Sequence, residues 1–313
     1  MKINYNNFAV TFLVISAVAC FQPLVALTFI INPKSDIVGE VQYVVIKKGD
    51  SLYSIARAHD LGTLEIQEAN PKVNPNKLKP GTKLLIPTEF ILPPGERSGV
   101  VINLAEMRVY YFTPDGQTVT THPLGIGRQG WHTPIGETTI ARKREYPTWT
   151  PPDSIRAEAE ERGVDLPDVI PAGPHNPLGD YALNLGWNGY AMHGTNAPTS
   201  VGSRSSHGCM RMYAEDIDNL FHVVEVGTKV RVIYEPYKLG VKDGQLFLEA
   251  HDLFPDNYYQ TNNIDKFDLL KDVVNEVNYP KRSKINWNEA QQLINETYGY
   301  PVNITGAQSN QSI

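Results

Sequence analysis

The chain has 313 residues, of which 41% are hydrophobic and 20% are charged. This is the composition of a folded globular protein of about two domains, and it excludes wholesale disorder. The formal net charge of -6 leaves no surplus of lysine and arginine to neutralise phosphates, so no nucleic-acid partner is expected. The 24 glycines and 23 prolines indicate many tight turns, which favours β structure.

The first 26 residues predict export from the cytoplasm. Lys2 precedes a stretch that is almost purely apolar from Phe8 to Phe21, and small residues stand at Ala19 and Ala26. A positive end, an apolar stretch and small residues before a cleavage point are typical of a secretory signal peptide. We therefore predict that residues 1–26 are a signal peptide. An uncleaved membrane anchor is the alternative.

Residues 41–88 have the pattern of one small unit with the order strand, helix, helix, strand. The two helices are expected to begin at Leu52 and at Thr63, and Asp50 or Ser51 is expected to cap the first of them. The unit resembles the LysM module at these positions: Gly49-Asp50-Ser51-Leu52, Ile55-Ala56, Asn70-Pro71, Leu78-Lys79-Pro80-Gly81 and Leu84 with Ile86-Pro87.

The resemblance to LysM implies a small α+β module that binds glycan containing N-acetylglucosamine. The binding groove would lie beside the turn formed by Gly49, Asp50 and Ser51, next to the loop after the second helix. The same turn residues also suit a purely structural spacer that has lost glycan binding.

A predicted linker over residues 90–96 leads to the main domain, residues 97–234. Short apolar runs separated by turn residues predict mostly β structure, a sandwich or an open barrel. Helical patterns are confined to residues 153–163 and 213–222. Seven prolines lie between Pro147 and Pro177, and this stretch is interpreted as a rigid insert over or beside a cleft.

Residues 235–313 predict a short, partly helical accessory segment. Helical periodicity is found over residues 267–277 and 287–294. The end of the chain, residues 306–313, is expected to be disordered.

The chemistry is concentrated between residues 191 and 211. If the signal peptide is removed after Ala26, Cys209 is the one cysteine left. A lone thiol in an oxidising compartment is usually buried and inert, unless it is used chemically. Two histidines, His193 and His207, precede Cys209 closely in the sequence, and a nearby histidine can hold the thiol proton and lower the pKa of the thiol.

The residues around Cys209 suit acyl transfer. Gly208 permits a close backbone approach, so that amides could face an acyl oxygen. Arg211 supplies a fixed positive charge for a carboxylate. A metal site is the rival interpretation, because His193, His207 and Cys209 are all competent ligands, but no familiar metal-binding spacing supports it.

The segments His193-Gly194-Thr195 and Ser206-His207-Gly208-Cys209-Met210-Arg211 resemble the signature of the bacterial L,D-transpeptidase catalytic family. Upstream, Gly125-Ile126-Gly127 and Thr133-Pro134-Ile135-Gly136 match further landmarks of that family. The resemblance covers about residues 97–234. With the signal peptide and the LysM module, the whole layout is similar to the periplasmic Gram-negative members.

The resemblance implies a role for each signature residue. Cys209 would be the nucleophile and His193 the general acid and base. His207, Gly208 and the Cys209 amide would help to build the oxyanion site. Substrate binding is assigned to Arg211, Thr195 and Ser206, and Thr195 would also help to orient the His193 ring.

The implied reaction needs no metal and no organic cofactor. The donor would be the tetrapeptide stem of peptidoglycan, cleaved between diaminopimelate and the terminal D-alanine. The acceptor amine would come from another diaminopimelate, giving a 3-3 cross-link, or from the C-terminal lysine of an outer-membrane lipoprotein. Acceptance by water would make the protein an L,D-carboxypeptidase. A non-catalytic wall-binding protein and a cysteine peptidase for ordinary L-peptides are the alternatives from other classes.

Overall fold

The computed structural model describes residues 26–255, 264–276 and 285–306. The predicted signal peptide up to residue 25, and the predicted disordered end from residue 307, lie outside these ranges. Within them, every helix is too short or too polar to cross a membrane.

The described residues form eighteen strands and six α-helices. The strands are β1 (Leu27–Ile30), β2 (Ile37–Gly39), β3 (Gln42–Val45), β4 (Lys83–Ile86), β5 (Glu89–Ile91), β6 (Gly99–Asn103), β7 (Arg108–Phe112), β8 (Thr118–Pro123), β9 (Ile126–Gly127), β10 (Gly136–Glu145), β11 (Tyr181–Leu185), β12 (Ala191–His193), β13 (Arg204–Ser206), β14 (Met210–Arg211), β15 (Lys229–Ile233), β16 (Tyr237–Lys242), β17 (Gln245–Ala250) and β18 (Val302–Asn303). The helices are α1 (Leu52–Ala58), α2 (Thr63–Ala69), α3 (Asp153–Glu161), α4 (Ala214–Val223), α5 (Lys266–Glu276) and α6 (Trp287–Glu296).

A nine-stranded sheet organises the main domain, in the order β1-β8-β7-β6-β15-β10-β11-β12-β14. The first part of β10 pairs with β15, and the remainder pairs with β11. The register shifts between Ile140 and Arg142, and an irregularity of this kind bends a strand and increases its twist. The sheet is therefore curled, and the prediction of a mostly β domain is confirmed.

The N-terminal unit has the predicted order of elements, β3, α1, α2 and β4. Ser51 is the cap of α1: its Oγ accepts a hydrogen bond from the Ser54 N–H at 3.0 Å, and the Ser54 Oγ accepts one from the Ser51 N–H. This reciprocal pair satisfies two of the backbone donors that a helix start leaves free. The predicted start of the second helix at Thr63 is also confirmed.

The prediction of a linker over residues 90–96 is wrong for the first half of this stretch. Residues 89–91 form β5, which pairs with β2, and the side chains of Phe90, Ile91 and Leu92 are buried. Three consecutive large apolar side chains gain more by leaving water than a linker conformation offers. The prolines that follow suggested a spacer, but burial of the apolar run before them determines the conformation of these residues.

The N-terminal unit shares its hydrophobic core with the nine-stranded sheet. Leu52 and Ile66 from the helices are buried in one cluster with Tyr110, Phe112 and Val119 from β7 and β8. An excised N-terminal unit would expose this apolar face to water. The two parts therefore stabilise each other.

Buried charges reinforce this contact. Arg108 on β7 donates to Glu65 of α2 at 2.9 Å. His122 on β8 lies between two carboxylates, 3.1 Å from Asp60 and 3.4 Å from Asp216 of α4. These groups are nearly inaccessible to water, so removing one member would leave an uncompensated buried charge.

The C-terminal segment contains strands as well as the predicted helices. In addition to α5 and α6, close to the positions predicted, it contains a small sheet of β16, β17 and β18 that the sequence analysis did not predict. Lys238 on β16 is buried and contacts Glu106 at 2.7 Å and Glu249 at 2.8 Å. This ion-pair network joins the segment to the main domain.

The His122 contact predicts a stability that decreases at alkaline pH. Despite burial, Asp60 and then Asp216 raise the pKa of His122 from 6.5 to about 10. A raised pKa gives stability that is complete below pH 6.5 and is lost as the pH rises towards 10. His122→Asn should lower the free energy of unfolding at pH 6 by roughly 3 kcal/mol and should flatten its pH dependence, measured by urea unfolding between pH 6 and 10.

The exposed His222 offers a matched control, since His222→Asn should leave the unfolding curves of the wild type unchanged. A wild-type stability that rises between pH 7 and 10 would contradict the assignment.

Candidate active site

The parallel pairing of β12 with β14 brings the two signature segments together. Met192 is in register with Met210, and His193 is in register with Arg211. Both methionines are buried in the core, so the residues on either side of them point to the opposite face of the sheet. His193, Arg211 and Cys209 therefore share one face.

His193 is held in one orientation. Its ring is 4% exposed, and Nδ1 lies 2.5 Å from the carbonyl oxygen of Gly194. A carbonyl oxygen only accepts, so Nδ1 carries the hydrogen and Nε2 keeps its lone pair. Burial, with the nearby positive charges of Arg211 and Arg144, lowers the pKa of His193 to about 4 although the Gly194 carbonyl opposes the shift. The ring is a neutral base at neutral pH.

Cys209 is partly buried, and its thiol donates to the Gly189 carbonyl oxygen over 3.4 Å. Burial raises the pKa of this thiol, against the opposing effects of a backbone hydrogen bond from Ala191 and the charges of Arg211 and Arg144. The sequence predicted a thiolate stabilised by histidine. Burial instead penalises the charged forms of both groups, so both pKa shifts favour a neutral thiol and a neutral imidazole at rest.

Two side-chain hydroxyls fix the loop before Cys209. Ser206 Oγ accepts from the Gly208 N–H at 3.1 Å and donates to the Cys209 carbonyl at 2.6 Å. Thr133 Oγ1 donates to the Gly208 carbonyl at 2.8 Å. Gly208 has a φ of +104°, and a Cβ there would lie 3.0 Å from the ring of Tyr190, so glycine is required on both counts.

These contacts correct two predicted roles. Ser206 is 1% exposed and its hydroxyl is used within the loop, so it braces the cysteine rather than binding substrate. The Gly208 N–H is likewise engaged by Ser206, which removes it as an oxyanion donor. Gly208 contributes through its backbone conformation.

His207 points away from Cys209, towards the proline-rich insert. Its Nε2 lies 2.8 Å from a carboxylate oxygen of Glu158 on α3, and its ring meets Trp131 edge to face at 4.6 Å between centroids. Hydrogen bonds from Arg128 and then His207 lower the pKa of Glu158 to about 2. The predicted insert does lie beside the site, and His207 connects it to the cysteine loop rather than facing an oxyanion.

The three residues of the metal alternative are not arranged as a metal site. Among the described residues, the groups arranged closely enough to hold an ion are Asp60 with His122 and Asp216, and Glu106 with Glu249 and His251. His193, His207 and Cys209 do not form such a group.

The remaining predicted residues lie at turns. Thr195 follows the His193 strand, and its Oγ1 accepts from the Ala197 N–H at 3.0 Å. In the N-terminal unit, Asp50 accepts from the Lys47 N–H at 2.7 Å. Gly49 has a φ of +96° with open space around it, so this turn is accessible to a ligand.

Arg144 was missed by the sequence analysis. It lies on β10, at one end of a row of paired residues that crosses four neighbouring strands. In this row Arg144 pairs with Ala182, Ala182 with His193, and His193 with Arg211. The guanidinium of Arg144 is held by Asn184, whose Oδ1 accepts from Nε at 2.9 Å. Sequence reasoning had no signal for it, because Arg144 is 49 residues from His193 and lies in no recognised motif.

Comparison with known proteins identifies the family. Residues 97–232 match the L,D-transpeptidase catalytic domain, and residues 44–87 match the LysM domain. "Probable L,D-transpeptidase YcfS" of Escherichia coli K12 is 40% identical over 80% of this chain and 81% of its own length. "Probable L,D-transpeptidase YbiS" of the same strain is 46% identical over 70% and 72%, respectively.

A third relative extends the match along the chain. "Probable L,D-transpeptidase ErfK/SrfK" of Salmonella typhimurium is 35% identical over 90% of this chain and 92% of its own length. Identity at this level over most of both sequences, together with a mostly β catalytic domain, is decisive. The chain belongs to the L,D-transpeptidase family and is an enzyme of that kind.

Proposed function

We propose that the protein is a peptidoglycan L,D-transpeptidase in which Cys209 is the nucleophile and His193 the general acid and base. The observation that carries the proposal is the hydrogen bond from His193 Nδ1 to the Gly194 carbonyl. It leaves Nε2 as the basic nitrogen, on the sheet face where His193 is in register with Arg211, two residues after Cys209. A base oriented by a third group, beside a thiol, is the arrangement that nucleophilic catalysis requires.

Acylation starts from the neutral pair. Cys209 Sγ attacks the carbonyl carbon of the diaminopimelyl residue while His193 Nε2 takes the thiol proton. His193 then returns that proton to the departing amine, the C–N bond breaks and D-alanine leaves. Charge exists on both groups only around the transition state, so a buried site that disfavours a resting ion pair still supports the step.

Deacylation reverses these roles. The acceptor amine attacks the thioester carbon, His193 takes a proton from the amine, and the thiol is restored when the C–S bond breaks. A diaminopimelate side chain as acceptor gives a 3-3 cross-link, and a lipoprotein C-terminal lysine gives an anchored lipoprotein. Water as acceptor gives L,D-carboxypeptidase activity. The Cys209 backbone N–H is our candidate donor to the oxyanion.

The N-terminal unit fits a role in holding the enzyme on its polymer. Its match to LysM and the accessible turn at Gly49 and Asp50 support binding of peptidoglycan glycan. Together with the predicted signal peptide, this supports the periplasm as the proposed site of action. The enzyme would remain on the wall while its site turns over successive stems.

Variants of the reacting groups test the mechanism. Cys209→Ala should abolish release of D-alanine from a tetrapeptide stem, and His193→Gln should reduce it by a factor of at least about 100, the usual contribution of a general acid and base. His59→Gln, at the end of α1, is the matched control and should retain wild-type rates. D-Alanine release by Cys209→Ala at more than a trace rate would refute the assigned nucleophile.

The pH dependence tests the protonation state. Because the pKa of His193 is lowered to about 4, the base stays unprotonated down to that pH, and the acylation rate should be nearly flat from pH 7 to pH 5. Carbapenem acylation followed by absorbance gives this profile, with circular dichroism confirming the fold at each pH. An acid limb centred near 6.5, the ordinary histidine value, would show that His193 is not shifted.

Glycan binding is tested in the full-length Cys209→Ala protein, because the N-terminal unit shares its core with the catalytic sheet. Asp50→Ala removes the side chain that closes the turn and should weaken co-sedimentation with insoluble peptidoglycan several-fold. Asp115→Ala alters a similar turn, in which Asp115 accepts from the Gln117 N–H, and should not. If Asp50→Ala and Asp115→Ala bind peptidoglycan equally well, the N-terminal unit is a structural spacer rather than a glycan-binding module.

A further inference from the structure

The reacting groups are surrounded by positive charge that the protein does not neutralise. Arg144 and Arg211 are both half-buried, and each interacts electrostatically with Cys209. Within the described ranges, neither guanidinium has a carboxylate within ion-pair distance. Arg142 adds a further positive charge beside Arg144.

Partly buried charges in proteins are normally paired. The fully buried lysine and arginine side chains among the described residues follow this rule, because Arg108 is paired with Glu65 and Lys238 with Glu106 and Glu249. Two unpaired arginines at the reacting centre therefore indicate that the compensating anions come with the ligand.

The spacing of the two arginines suits a ligand with two separate anionic groups. They occupy the same row of the sheet on strands three steps apart, with His193 between them. Strands about 4.8 Å apart put their Cα atoms roughly 14 Å from each other. Arg211 is adjacent to His193 in this row, whereas Arg144 approaches from the far side.

Asn184 fixes the direction of Arg144. The Oδ1 of Asn184 accepts a hydrogen bond from Arg144 Nε at 2.9 Å. On β11, Asn184 is two residues after Ala182 and is in register with Ala191. The backbone of Ala191 in turn makes a hydrogen bond to Cys209. Nη1 also donates to the Thr148 carbonyl oxygen at 3.4 Å. The guanidinium held in this way interacts electrostatically with Cys209 and keeps further N–H groups for a charge-assisted contact with a carboxylate.

We infer that Arg144 is a specificity-determining residue that binds the side-chain carboxylate of the diaminopimelyl donor, while Arg211 binds the carboxylate of the leaving D-alanine. This inference rests on the proposed function. The leaving amine must meet His193 to receive its proton, which puts the D-alanine carboxylate next to Arg211. The second carboxylate of the donor then extends towards Arg144. The enzyme should prefer donors in which that carboxylate is free.

The test compares two tetrapeptide donors, one with the diaminopimelate side-chain carboxylate free and one with it amidated, using the full-length protein and D-alanine release. Wild type should favour the free carboxylate by about tenfold or more in kcat/KM, the usual effect of one charge-assisted hydrogen-bond pair. Arg144→Gln should lose that preference through a higher KM for the free donor, so that its kcat/KM values for the two donors agree within about threefold.

Further variants separate recognition from folding. Arg144→Lys keeps the charge and should recover part of the preference. Arg211→Gln should slow both donors by a similar factor, and Arg231→Gln, which removes a charge from β15 in the same sheet, should behave as wild type.

Each outcome decides a different claim. Wild type that releases D-alanine but does not distinguish the donors overturns the inference and leaves the proposed function standing. The inference is equally overturned if Arg144→Gln discriminates as wild type does. Release of no D-alanine from either donor by wild type removes the proposed function and the inference with it.

Discussion

The parallel contact between β12 and β14 is the constraint on which the site depends. Its register sends Met192 and Met210 into the core and so presents His193, Cys209 and Arg211 on the other face. A slip of one residue in either strand would turn one of the reacting side chains into the hydrophobic core and a methionine out of it. The hydrophobic core thus fixes the relative position of base and nucleophile, and the loop held by Ser206 and Thr133 fixes the approach to the cysteine.

Burial then determines the chemistry. It lowers the pKa of His193 and raises that of Cys209, and the unpaired arginines add to the shift of the histidine. The resulting neutral pair differs from the ion pair that the adjacent residue types suggested. Residue identity shows which groups can exchange a proton, but the location of that proton at rest depends on desolvation, which follows from tertiary packing.

The sequence predicted the elements whose signals are local. The cap at Ser51 and the helix Thr63–Ala69 follow from cap chemistry and periodicity, and the signature around Cys209 from its residues. It failed where distant segments meet. The buried strand at Phe90, the contact of His207 with Glu158, and the place of Arg144 in the row with His193 all depend on pairings that local sequence does not encode.

The central claim is that Cys209 carries the acyl group between donor and acceptor. Intact-protein mass spectrometry of the enzyme mixed with a tetrapeptide donor, without acceptor amine and followed by peptide mapping, tests it most directly. We expect an adduct of the donor less D-alanine on the peptide containing Cys209, with an equal amount of D-alanine released. D-Alanine release accompanied by no adduct, or by an adduct on another residue, would contradict it.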